Sequence, residues 1–158
     1  MSKTFNLALK ITMEIYRDME NIFHFFIQTN TQELECYFNK TLSYKDFLNR
    51  NYKLPIYDDI LQIMAKYRLL AKPCYNYNNT EITIGIDLYG ASVIHPDQIR
   101  EFISSFRIFE CKIKNGELLS DLETFEIPLY KAESETEKYI NFLEIALDKQ
   151  LYIFHSGI

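Results

Sequence analysis

The sequence predicts an α+β fold, a single domain in which a mainly antiparallel, twisted sheet is packed by about four or five helices. Three observations carry this expectation. Several segments alternate apolar and polar residues with period two, and others repeat apolar residues with period 3.6 between capping and breaking residues. The two kinds are interspersed without regular βαβ alternation, and 158 residues suit one hydrophobic core.

From Phe5 to Ile15 the odd positions are Phe, Leu, Leu, Ile, Met and Ile, the pattern of a strand, and a helix from Arg17 to Gln28 is expected to follow. A helix from Leu7 to Gln28 is the competing reading, since its residues are good helix formers. Thr31 to Phe38 places Leu34, Cys36 and Phe38 opposite Glu33, Glu35 and Tyr37 and predicts a half-buried strand. Ser43 and Asp46 resemble a capping box and predict a short helix from Tyr44 to Asn51.

Pro55 is expected to start a helix over Ile56 to Leu70, with Asp58 and Asp59 in its favoured first turn and Pro73 closing it. Thr80 to Tyr89 alternates Ile82, Ile84, Ile86 and Leu88 against polar residues, the clearest strand signal in the chain. Pro96 and Asp97 open a helix to Phe106, and Arg107 to Lys114 then alternates as a strand. Asn115-Gly116 reads as a two-residue hairpin turn. Leu118, Leu119, Leu122 and Phe125 fit a helical stripe as well as a bulged strand. Ser134 and Glu137 form a capping box for a helix to Lys149, and Leu151 to Phe154 ends the chain as a strand.

Twelve Tyr and twelve Phe, with no Trp, must fill much of the core, while four Gly and four Pro argue against a disordered or low-complexity chain. Cys36, Cys74 and Cys111 have no metal or redox spacing and read as free thiols. With no signal-peptide pattern and no apolar run of membrane-spanning length, a reducing cytoplasm is the expected compartment.

Charge is unevenly distributed. Residues 1–50 carry six Lys/Arg against six Asp/Glu, residues 51–100 carry five against five, and residues 101–158 carry six against eleven, so the whole net charge of −5 lies in the last third. Its densest part comprises Glu117, Asp121, Glu123, Glu126, Glu133, Glu135 and Glu137, opposed by Lys131 alone. Such a patch favours a basic partner and repels nucleic acid and anionic lipid over about a Debye length, ~8 Å at physiological salt.

Enzyme chemistry finds little support. His24, His95 and His155 are isolated, with no HxH or HExxH, so no metal is expected. His24 reads as the rim of a helix, His95 as a helix start, and His155 as part of a fraying tail. Cys36 and Cys111 occupy strand patterns where burial is usual, and Cys74 is the best loop candidate for a reactive thiol. The glycines form neither GxGxxG nor GxxxxGK[ST], so no cofactor is expected, and Lys66, Arg68 and Lys72 make only a weak basic stripe.

Two binding elements remain: the acidic stretch, and the polar aromatic segment Cys74 to Asn79 with Tyr75 and Tyr77. The reading favoured is a non-enzymatic inhibitor whose acidic face docks on a basic protein, as a bacterial immunity protein does on a toxin such as a nuclease. That is an analogy of size and charge, and no motif carries a family resemblance. One alternative is an enzyme or small-molecule sensor with a Tyr/Phe-lined pocket near His95, using Asp87 and the room left by Gly90-Ala91-Ser92. Another is a regulatory or structural homo-oligomer.

Overall fold

The computed structural model describes residues 22–76 and 82–157. One six-stranded sheet organises them, in the order β2-β1-β6-β5-β3-β4, with every neighbouring pair antiparallel. The strands are β1 (Ile22–Thr29), β2 (Tyr52–Tyr57), β3 (Pro73–Asn76), β4 (Ile82–Ile84), β5 (Ala91–Ile94) and β6 (Tyr152–Ser156). Six helices accompany them among the described residues: α1 (Thr31–Phe38), α2 (Tyr44–Arg50), α3 (Asp58–Lys66), α4 (Ile99–Lys114), α5 (Leu119–Thr124) and α6 (Leu129–Asp148). The fold is therefore mixed α+β, with more helices than the sequence suggested.

Both faces of the central strands are covered, because successive side chains point to opposite sides. On one face Phe26, Ile94 and Ile153 join Ile60, Leu61 and Met64 of α3, Phe102, Phe106 and Phe109 of α4, and Tyr139 and Leu143 of α6 in the main core. On the other, Ile27, Val93 and Phe154 pack against Leu34 of α1 and Phe47 of α2 in a smaller cluster. Each fully buried Phe or Leu contributes roughly 1.5–3 kcal/mol relative to exposure.

Several sequence expectations are corrected. The strand expected at Phe5 to Ile15 and the start of the helix expected at Arg17 lie outside the described residues, but Ile22 to Gln28 is strand, central in the sheet and not helix. Thr31 to Phe38 is helix: the Asn30 side chain accepts the Glu33 N–H, and Leu34 alone is fully inward. Pro55 lies within β2, an edge strand where a missing N–H is tolerated, and α3 starts at Asp58. Pro73 opens β3, and the Thr80 to Tyr89 strand is confined to Ile82–Ile84 among the described residues.

Arg107 to Lys114 continues α4, because Phe102, Phe106, Phe109 and Ile113 form one inward stripe. Asn115-Gly116 is consequently the end of that helix and not a hairpin. Gly116 has φ 72°, its N–H donates to Ile113 O, and the Glu117 N–H donates to Lys112 O. The last helix begins after Pro128, before the Ser134 capping box. The expected short helix at Tyr44, the acidic first turn at Asp58 and Asp59, and the terminal strand are all present.

Candidate partner-binding face

The acidic stretch divides into structural and outward carboxylates. Asp121, in the first turn of α5, is buried and accepts from Lys66 Nζ at 2.5 Å and Tyr67 Oη at 2.6 Å, tying α5 to the end of α3. The Lys66 and Tyr67 hydrogen bonds hold its carboxyl below the usual range, and Asp121 in turn raises both partners. Glu135 faces inward on α6 and is bonded by Lys138 at 2.8 Å. Glu117, exposed after α4, takes Lys112 at 3.0 Å.

Glu123, Glu126, Glu133 and Glu137 are the exposed remainder. Glu133 and Glu137 are one helical turn apart and share their exposed stripe with Tyr130, whose side chain is 75% exposed. Leu129 at the start of α6 and Leu119 at the start of α5 are also exposed. Of the lysines of this segment, Lys138 is drawn to Glu135, and Lys131 lies 4.5 Å from the centre of the Tyr57 ring in a cleft it shares with Glu126. The outward stripe is thus acidic around an aromatic, although the sequence run is not a single face.

The aromatic segment is not a loop where it is described. Cys74 and Tyr75 belong to β3; Cys74 is fully buried and donates to Gly85 O, and burial raises its thiol pKa. Tyr75 is half-buried against the smaller cluster, 5.8 Å from the His95 ring, and Tyr77 lies outside the described residues. Cys36 is half-buried on α1 and Cys111 exposed on α4, so the burial expected for both in strands does not hold; all three thiols are free.

The His95 region is occupied by its own bonds. His95 Nε2 pairs with Tyr152 Oη at 3.1 Å, and Nδ1 accepts the Asp97 N–H, capping a 3-10 turn at Pro96–Gln98. Gly90 and Ser92 are drawn into backbone bonds, Gly90 O accepting from Gly157 and Ser92 Oγ from the Asp87 N–H.

A buried polar chain escaped sequence reasoning. His24 on β1 and His155 on β6 are both fully buried, neither on a helix rim nor in a frayed tail. Their rings stack at 5.1 Å with His24 Nδ1 2.9 Å from His155 Nε2, and His24 Nε2 meets Asp58 Oδ1 at 2.6 Å. The even-numbered inward positions of β1 were the available signal, but only once that segment is known to be a strand. A small cleft of about 50 Å³ lies beside α3, lined by Tyr57, Asp59, Ile60, Phe125, Pro128 and Lys131 among others. Burial and the neighbouring Asp58 raise the Asp59 carboxyl.

Among the described residues no group of three or more His, Cys, Asp or Glu is placed to hold a metal, and no helix is long and apolar enough to cross a membrane. No protein-family model matches the chain, and no curated protein or solved structure matches it. Fold and site define an α+β protein with a six-stranded antiparallel sheet and an acidic, aromatic-centred helix face.

Proposed function

We propose that this chain is a non-enzymatic binding protein whose acidic α5–α6 face docks on a basic surface of a protein partner. The supporting observation is the outward stripe of α6, where Tyr130 stands exposed beside Glu133 and Glu137 while Lys138 is committed to Glu135. An exposed Tyr offers large contact area at low entropic cost, and surrounding carboxylates steer a cationic partner and set its register. An inhibitor that covers a nuclease's nucleic-acid site, its carboxylates replacing phosphates, is the form of this activity that a toxin-neutralising immunity protein would take. The engaged nitrogens of His95 weigh against the alternative pocket there.

The reading is tested by Glu133→Lys combined with Glu137→Lys, compared with wild type for capture of the partner from host lysate. Both residues are exposed, so the thermal midpoint stays within about 2 °C, the scale of a surface substitution, while capture falls at least about tenfold. Equal capture by both proteins rejects the face.

A further inference from the structure

We propose that the chain Asp58–His24–His155 is an acid-sensitive latch that keeps the first turn of α3 closed on the sheet. The inference stands independently of the docking reading. The geometry admits one neutral proton arrangement that satisfies both contacts and keeps Asp58 ionised. His24 Nε2–H donates to Asp58, His155 Nε2–H donates to His24 Nδ1, and His155 Nδ1 carries a lone pair. That nitrogen is buried and has no hydrogen-bond partner.

An added proton can be relayed. The shared hydrogen moves to His24 Nδ1, so the positive charge rests beside Asp58, while the new hydrogen sits on His155 Nδ1. There it is a buried donor with no acceptor, which makes the closed state resist protonation. A second added proton is sterically excluded, since both nitrogens of the 2.9 Å contact would then carry hydrogens.

The first turn of α3 is the place where this resistance can be relieved. Its N-cap, Tyr57, supplies no side-chain cap bond, so Asp58, whose other oxygen accepts from Gln62 Nε2 at 2.5 Å, is the polar tie of a turn that Ile60 and Leu61 also anchor in the main core. Asp58 is the solvent end of the chain, with its side chain 20% exposed, whereas both histidines are fully buried. Swinging that turn outward admits water to His24 Nε2, and the pair then takes up a proton with its donors solvated.

Ionisable groups on the surrounding elements include Asp58, Asp59 and Lys66 of α3, Tyr52, Lys53 and Tyr57 of β2, Cys74 of β3, Arg107 and Glu110 of α4, and Lys131, Glu135 and Tyr139 of α6, with Asp87 in the turn before β5. Asp58 is the one bonded directly to the pair. Burial raises the Tyr139 hydroxyl and the Cys74 thiol, so both stay neutral through the acid range. Lys131 lies over Tyr57, and Glu135 is engaged by Lys138.

Amide hydrogen exchange of the full chain between pH 7.5 and 5.0, corrected for intrinsic rates, tests the latch. The amides of Leu61 and Gln62, the first of α3 to reach carbonyls of the turn, are expected to show an opening distinct from global unfolding that grows about tenfold per pH unit below about 6.5, the ordinary imidazole range. Replacing both rings, His24→Gln with His155→Gln, leaves amides that can donate to Asp58 and to each other but takes up no proton; there the local opening is expected to be flat with pH. A pH-independent opening in wild type, exchange only through global unfolding, or the same slope in the variant overturns the proposal. Should that variant not fold, long-range 15N NMR of the wild-type imidazoles decides: a protonated His155 Nε2 with bare Nδ1 at pH 7.5 supports the latch, and protonated Nδ1 at that pH contradicts it.

Discussion

Gly157 shows how one residue closes this fold. Its N–H donates to Gly90 O at 2.7 Å, and a Cβ placed on it would come within 2.6 Å of Leu88 O and 2.9 Å of Gly90 O. Both neighbours are backbone, which cannot rotate aside, so Gly157→Ala is expected to lower unfolding free energy by about 1–3 kcal/mol in urea titration. The opposite sign applies where helices end on a left-handed residue with a side chain, as at Lys40 with φ 60° and Arg68 with φ 57°. Relief of the left-handed strain exceeds the added unfolded-state entropy, so Lys40→Gly and Arg68→Gly should each stabilise by ~0.5–1 kcal/mol, measured the same way.

His155 has a residue-scale consequence for pH as well. Burial, reinforced by neighbouring His24, pushes its imidazole down to about 3. The folded state thus stays neutral while the unfolded chain takes up a proton, so this contribution is complete above about 6.5 and is lost as pH falls toward about 3. Its slope is about 1.4 kcal/mol per pH unit. Urea midpoints measured in steps from pH 7 to 5 should fall accordingly, and a level series would contradict the buried neutral ring.

At the scale of elements, α4 departs from the strand reading at Cys111, which a strand buries beside Phe109 and Ile113 and the helix leaves exposed, whereas both readings bury Phe109 and expose Ile108. In the helix Phe109 is fully buried and Ile108 is 46% exposed. Phe109→Ala is expected to cost about 3–5 kcal/mol and Ile108→Ala less than about 1, both by chemical denaturation. The strand expectation arose because Phe109, Cys111 and Ile113 alternate over too short a window. Extending the window to Phe102 and Phe106 exposes the 3.6-residue stripe. Similarly, the Asn30 to Glu33 spacing held a cap signal at α1 that three alternating apolar residues outweighed. β1 was hidden for a different reason: it is buried on both faces, so Phe25, Phe26 and Ile27 form a continuous apolar run without alternation.

For the molecule as a whole, the α+β class and the acidity of the last third were legible in the chain, whereas the division of that acidity was so only in part. Asp121 becomes structural because Lys66 and Tyr67, from the distant end of α3, meet it in space. Glu135 turns inward because α6 begins at Leu129, which places its buried stripe through Ala132, Thr136 and Tyr139. Helical spacing offered the inward place of Glu135, one turn before the buried Tyr139, but the pairing of Asp121 depends on how helices pack and no local pattern carries it. The same holds for His24 and His155, which meet only because β6 returns beside β1. The outward carboxylates that remain, with Tyr130, are the basis for the docking role proposed for this face.

The most direct measurement of that role is retention of host proteins on the immobilised chain at low and raised salt, identified by mass spectrometry, with a Tyr130→Ala, Glu133→Lys, Glu137→Lys variant alongside. The account predicts one basic protein held in stoichiometric amount by wild type, released as salt rises, and lost from a variant that keeps its thermal midpoint. Undiminished retention by the variant, or no protein retained by wild type, would contradict it.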